Sequence, residues 1–188
     1  MKNLEFNLQN SIQELAENFT VKTVQSITNE ELTEIKTLDD SMMPEQMQYD
    51  LKDLRESFES ANGVYILVRN NLGKIVGYLS SLPKNEEYDG LVEFDPEFAK
   101  NNSSLYIESI LIKGGDLTIL KKVFSTLTTE AKNKGYTNIS MHTRVSQGLS
   151  DILQKRYGVK FFRRIENWYG FGEPFDYLEF DLAEPTRV

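Results

Sequence analysis

The stretch Ser104–Tyr136, SLYIESILIKGGDLTILKKVFSTLTTEAKNKGY, constrains this chain more than any other. Residues 105–112 form an apolar run that reads as a buried strand. Two glycines follow. Leu120, Val123, Phe124, Leu127 and Ala131 then return to one face at helical spacing, so residues 117–134 read as an amphipathic helix. Gly135, after Lys132 and Lys134, is a stop at the C′ position. A strand–turn–helix junction of this kind aims free backbone N–H groups and the helix dipole at one point, which attracts anions. The strand carries one acid, Glu108, among apolar neighbours. A lone acid beside an anion-ready helix start points to transfer chemistry on a phosphate-bearing donor. Asp116, however, stands where the anion should go.

The segments on either side extend this into an α/β order. Val21, Val24 and Ile27 mark a first strand. Thr28 with Glu31 forms a capping box, opening a helix through Leu32, Ile35 and Leu38. A second helix is expected from Pro44, with Met47, Leu51, Leu54 and Phe58 on its apolar face. Val64, Ile66 and Val68 alternate, Asn70–Gly73 makes a turn, and Ile75–Leu82 is the partner strand of a hairpin. Residues 84–103 lack a clear period and read as a long loop, with a turn of helix at Pro96–Lys100. Ile139, Met141, Thr143 and Val145 mark a further strand; a helix at Gln147–Arg156, a strand at Val159–Ile165 and a last strand at Phe175–Leu182 follow. Leu4, Leu8, Ile12, Leu15 and Phe19 give residues 3–18 the spacing of a docking helix, so residues 1–19 read as a helical extension and 20–188 as one domain. A mixed central sheet with helices on both faces is the expected α/β architecture.

Composition removes several chemistries. With no cysteine there is no disulfide framework, thiolate metal site or cysteine nucleophile, and the single histidine, His142, confines any Ser-His-Asp triad to itself. No apolar run is long enough to span a bilayer, and the N-terminus lacks a signal-peptide core, so a cytoplasmic protein is expected, without membrane attachment or metal. Charge is uneven. Residues 1–61 hold 5 basic and 13 acidic side chains, whereas residues 105–188 hold 12 and 10. The acidic first third disfavours nucleic-acid binding, and the last part is the better home for an anionic ligand.

Three patterns in order carry a resemblance. YIESILI (Tyr106–Ile112) precedes a loop and a helix ending EAKNKG (Glu130–Gly135). ILQKRYGVKFF (Ile152–Phe162) is a helix stopped by glycine before a strand. NWYGFGEPFDYLEFDL (Asn167–Leu182) joins a Tyr-containing loop to the last strand. Together with the hairpin Gly63–Pro83, these make residues 20–182 resemble the GNAT superfamily of acyl-CoA-dependent N-acyltransferases. The resemblance implies direct transfer of an acetyl group from acetyl-CoA to a primary amine of a small molecule or peptide. It implies a donor site along Ile110, Ile112, Lys113, Gly114, Gly115 and Thr118, with Ser146 or Gln147 where the family has an Asn at the next helix start. The chain departs from the family where KGGDLTIL (Lys113–Leu120) replaces a longer glycine-alternating loop. Gln154 and Val159 also replace a Tyr and an aromatic residue.

Glu108 and Tyr169 are the candidate catalytic pair. Strand alternation places Glu108 with Tyr106 and Ile110 on one face, and Ile107, Ser109 and Leu111 on the other. An amine attacks only after losing a proton, and the resemblance makes Glu108 the base; burial would raise its pKa into the working range. A carboxylate bonded to a nearby hydroxyl for structure alone is the other reading. Tyr169 matches the family Tyr that protonates the leaving thiolate, or else is a rim aromatic beside Trp168. Asp116 reads as the N-cap of helix 117–134. A fixed carboxylate about 4–6 Å from a diphosphate costs on the order of 1 kcal/mol at a wet surface. Donor binding is therefore weakened, re-routed or lost, and a non-catalytic protein-binding domain or a donor other than CoA remains an alternative. His142 reads as structural. The six acids and three aromatics of the 84–103 loop fit either a solvated surface or a cationic acceptor.

Overall fold

The computed structural model describes residues 19–183. The docking helix expected over 3–18 lies outside them, so the division at residue 19 stays an expectation. Seven strands form one mixed sheet in the order β1-β2-β3-β4-β5-β7-β6. They are β1 (Thr20–Val24), β2 (Tyr65–Arg69), β3 (Ile75–Pro83), β4 (Ser104–Ile112), β5 (Asn138–Arg144), β6 (Lys160–Ile165) and β7 (Phe175–Asp181). Neighbours run antiparallel except β4 and β5, which are parallel and connected by the helix of the opening segment. A parallel pair requires such a crossover, and this one supplies it.

Among the described residues, five helices cover the sheet. We label them α1 (Asn29–Met42), α2 (Leu51–Glu56), α3 (Tyr88–Leu91), α4 (Leu117–Asn133) and α5 (Leu149–Tyr157). On one face, α4 and α5 bury Val123, Phe124, Leu127, Leu153 and Tyr157 against Ile66, Leu79, Leu105, Ile107 and Leu178. On the other, Leu32, Ile35 and Leu38 of α1 and Leu54 of α2 meet Tyr65, Leu67, Tyr78 and Leu111. A third cluster continues that second face with Leu91, Phe98, Tyr106, Trp168, Phe175 and Tyr177. Each fully buried Leu or Ile here contributes about 2–3 kcal/mol of transfer free energy.

The local start signals act as expected. Thr28 Oγ1 accepts from the Glu31 N–H and Glu31 Oε2 accepts from the Thr28 N–H, at 3.2 and 2.8 Å, which fixes the entry of α1. Three expectations need correction. The helix from Pro44 is instead a single 3-10 turn, Glu45–Met47, followed by a separate α2. Asp50 causes the break: its carboxylate accepts from the N–H groups of Lys52 and Asp53 and restarts the helix, leaving Leu51 52% exposed. In the 84–103 loop the helical turn is α3, ahead of the expected Pro96–Lys100, where only a hydrogen-bonded turn at residues 96–97 is found. The helix expected from Gln147 starts at Leu149, because Gly148 adopts φ 66° and separates it from the turn Val145–Gln147.

Candidate active site

Strands β4 and β5 pair over only four residue pairs, from Ser104↔Asn138 to Ile107↔Met141. Beyond these, β4 stays bonded to β3 and β5 to β7, but not to each other. The sheet parts at its parallel seam and leaves the β5-facing edge of β4 without a strand. A cavity of about 710 Å³ opens there, walled by β4, β5, the Gln46–Tyr49 and Glu87–Leu91 segments and the Trp168–Phe171 turn.

The residue at the parting is Glu108. The β3–β4 ladder pairs Ser80 with Ser109 and Ser81 with Ile107, so Glu108 has no partner on β3 and forms a β-bulge. The bulge corrects the alternation expected from the sequence. Ile110 now shares the α4 side with Ile107, through its pairing with Leu79. Ser109 and Leu111 share the opposite side with Tyr106 and Glu108, and Ser109 Oγ donates to Tyr78 Oη at 3.1 Å. Two consecutive polar side chains, Glu108 and Ser109, thus face the α1–α2 side.

Glu108 Oε1 accepts from Ser57 Oγ at 2.7 Å, while Oε2 is buried without a partner. Burial pushes its pKa up to about 7; the neighbouring Glu87 charge adds to this and the Ser57 hydrogen bond opposes it. Glu87 lines the same cavity, and burial raises its pKa too. Asp53 and Glu56 are on the wall as well, against one guanidinium, Arg144, which donates to Glu173 at 2.9 Å. The cavity is therefore electronegative and rimmed by the aromatic rings of Tyr49, Tyr106, Trp168, Tyr169 and Phe171.

Tyr169 enters this cavity from the loop before β7. Its backbone is left-handed, φ 49° and ψ 19°, an uncommon state for a residue with a side chain. Its ring stacks on Phe94 with centroids 3.9 Å apart. Burial, helped by the Glu87 and Glu108 charges, raises the phenol pKa to about 12, so it holds its proton at neutral pH. The structure thus brings Tyr169 and Glu108 to one cavity.

The other candidates scatter. Ile110 and Gln147 are on the cavity wall. Ile112 is buried in the core at the end of β4. Lys113, Gly114 and Gly115 form the turn before α4, with both glycines left-handed at φ 78° and 63°. Ser146 donates its hydroxyl to Glu173 instead of facing the cavity. Asp116 caps α4: Oδ1 accepts from the N–H groups of Thr118 and Ile119 at 2.7 and 3.2 Å. The chain's own carboxylate therefore occupies the anion point of the helix start.

A third group was read from the sequence as structural or solvated. His142, Asp95 and Tyr106 meet under Trp168, with the imidazole 3.9 Å from the Trp168 ring centroid. Asp95 belongs to the acidic loop but is 1% exposed, held by Arg163. An arginine on one strand and an acid in a distant loop left no local signal of this pairing.

A coenzyme A donor is tested by the same geometry. The open β4 edge and the parted strands suit an extended thiol-bearing arm. Gly114 and Gly115 have open space around them. Two of the N–H groups at the start of α4 are taken, so a diphosphate there must rely on Lys113 and the glycine N–H groups. Among the described residues, no helix is long and apolar enough to cross a membrane.

No family model and no curated protein matches the sequence. Solved structures do match the fold. The ribosomal-protein-S18-alanine N-acetyltransferase from Escherichia coli has a TM-score of 0.65 at 10% identity, over 89% of this chain and 96% of that one. NAA60 from Arabidopsis thaliana, solved with acetyl-CoA, has a TM-score of 0.66 at 12% identity, over 88% and 99%. A GNAT-family acetyltransferase from Staphylococcus aureus Mu50 has a TM-score of 0.61 at 15% identity, over 87% and 99%. The chain has the fold of the GNAT acetyltransferases.

Proposed function

We propose that this protein is an N-acetyltransferase that moves an acetyl group from acetyl-CoA to a primary amine by direct transfer. The observation that carries this reading is Glu108. It is a carboxylate with one unpartnered buried oxygen and a pKa raised to about 7, set at the parting of β4 and β5 opposite a protonated Tyr169.

Bound acetyl-CoA supplies an activated thioester. The acceptor arrives as an ammonium, drawn by the acidic wall of Asp53, Glu56 and Glu87. Glu108 takes one of its protons, directly or through a water, and frees the nitrogen lone pair. A base near neutrality is matched to this step, since it is substantially ionised at working pH yet strong enough to accept the proton. Nitrogen bonds to the carbonyl carbon and the carbon–sulfur bond breaks. Tyr169 gives its phenolic proton to the departing sulfur, and the second proton shed by the new amide nitrogen returns through water to the phenolate. Main-chain N–H groups at the end of β4, those of Ile112 and its neighbours, are the donors assigned to polarise the carbonyl oxygen. The chain has no cysteine, so no thioester intermediate forms on the protein.

Isothermal calorimetry with acetyl-CoA, followed by a thiol-release assay over a panel of primary amines, tests the reading. Binding with release of free thiol that is lost in Glu108→Gln supports it; no heat at millimolar donor sinks it. Asp116 motivates two alternatives, a donor without a diphosphate and a non-catalytic binding role. Unchanged acetyl-CoA affinity in Asp116→Gly would favour the first; acyl transfer that disappears in Glu108→Gln with the fold intact rules out the second.

A further inference from the structure

Tyr106 and His142 both line the cavity, and their hydrogen-bond directions can be worked out from the far end of the chain they form. Asp95 sits behind them with both carboxylate oxygens engaged. Arg163 Nε donates to Oδ1 at 2.8 Å, and Arg163 Nη2 also donates to Oδ2. Burial works against the Asp95 charge, but the hydrogen bonds from His142 and Arg163 outweigh it and hold the carboxyl at about 2, so Asp95 only accepts. Its Oδ2 lies 3.1 Å from His142 Nε2, and that nitrogen therefore carries the hydrogen. Lys84, Arg163 and Asp95 are the charged groups around the imidazole, and burial outweighs Asp95, lowering its pKa to about 4. The ring is neutral, so Nδ1 is bare. Nδ1 is 3.0 Å from Tyr106 Oη and must accept from it. The phenolic proton of Tyr106 is thus committed to His142. Among the described residues no other hydrogen bond to that oxygen is found, so it is left as an acceptor. Two residues along the same face of β4 is the other orphan acceptor, Glu108 Oε2.

We propose that Tyr106 is a further substrate-binding group of this site: its oxygen, fixed as an acceptor by the chain Asp95–His142–Tyr106, holds one N–H of the acceptor amine while Glu108 receives another. His142 and Asp95 are positioning residues that act through Tyr106. This rests on the acyl-transfer reading given above, and it refines the acceptor class. An amine brings at least two hydrogens, enough for both oxygens. An alcohol brings one and leaves a buried acceptor unpaired, so the pair selects nitrogen over oxygen nucleophiles.

The single histidine makes the chain readable by NMR. Long-range ¹H–¹⁵N correlation of the ¹⁵N-histidine-labelled protein should show a neutral ring protonated at Nε2 throughout about pH 5.5–8. A ring protonated at Nδ1, or one that titrates near its ordinary value, overturns the proposal. Adding propylamine should move the Nδ1 resonance of the wild type and not that of Tyr106→Phe; the absence of any shift in the wild type overturns it without reference to turnover. In kinetics, Tyr106→Phe should raise the amine KM about ten- to a hundredfold and leave the acetyl-CoA KM unchanged. Asp95→Asn offers an N–H donor to Nε2, moves the ring hydrogen to Nδ1 and turns the Tyr106 proton into the cavity. It should raise the amine KM similarly, and the double variant should be no worse than either single one. Additive effects overturn the proposal. A wild type that transfers nothing to any amine fails the acyl-transfer reading, while the propylamine shift still decides the role of Tyr106.

Discussion

Replacing Glu108 by Gln should stabilise this protein at alkaline pH while abolishing its chemistry. The folded-state pKa is raised from 4.5 to about 7, chiefly by burial. Between these values the folded protein keeps a proton that the unfolded chain has lost, so the carboxyl makes stability fall as pH rises through that window and stay low above it. The penalty in the wild type is about 0.8 kcal/mol near pH 5 and about 3.3 kcal/mol near pH 8, a pH-dependent difference of about 2.5 kcal/mol. The substituted amide does not titrate. Its carbonyl can still accept from Ser57, but its NH₂ is unpartnered, a constant cost of about 1–3 kcal/mol. The informative quantity is therefore the change with pH of the gap between the two proteins. Other perturbed groups, His142 and Glu87 among them, titrate in both proteins and cancel. Urea unfolding followed by fluorescence at about pH 5 and pH 8 should show the variant gaining about 2.5 kcal/mol on the wild type, or about 5–10 °C in Tm. A gap that stays constant within about 0.5 kcal/mol would refute the buried, ionisable state of Glu108 from which the base role is argued.

Three further outcomes follow from the same geometry. The acid limb of kcat/KM should inflect near the Glu108 pKa of about 7, and Ser57→Ala should move it to higher pH, because the lost hydrogen bond favours the charged form; a limb that stays put removes Ser57 from the site. Tyr169→Phe keeps the stack on Phe94 and removes the proton donor, so kcat should fall about a hundredfold, with the unfolding midpoint nearly unchanged by calorimetry. Asp116→Gly should cost α4 a few tenths of a kcal/mol to about 1 kcal/mol as a cap and tighten acetyl-CoA binding by calorimetry, as two N–H groups become free for the diphosphate.

The features legible in the sequence are those that residues settle among near neighbours. The capping box of Thr28 and Glu31, the cap at Asp116, the apolar stripe of α4 and the hairpin of β2 and β3 all depend on spacings of a few positions. The mixed α/β architecture followed from the order of those pieces, whereas the order of strands in the sheet did not. Features that depend on two distant segments were not legible. The bulge at Glu108 exists only in the register between β3 and β4, and the sequence of β4 alone gives an unbroken alternation. Asp95 looked like one acid among six in a solvated loop, until Arg163 and His142, 68 and 47 positions away, supplied its partners. Asp50 misled differently, since a stop and restart competes locally with helix continuation and spacing of apolar residues cannot decide it.

The bulge has a consequence for how such a protein can change. Glu108 fills no rung of the β3–β4 ladder, while its neighbours Ile107 and Ser109 hold the register on either side. The position proposed as the base is thus mechanically separate from the strand that carries it. Selection can exchange the side chain there, acid for amide or hydroxyl, without re-registering the most central strand of the sheet. Chemistry and architecture are inherited on adjacent residues yet vary independently, and a scaffold so arranged can keep its shape while its reaction is rewritten.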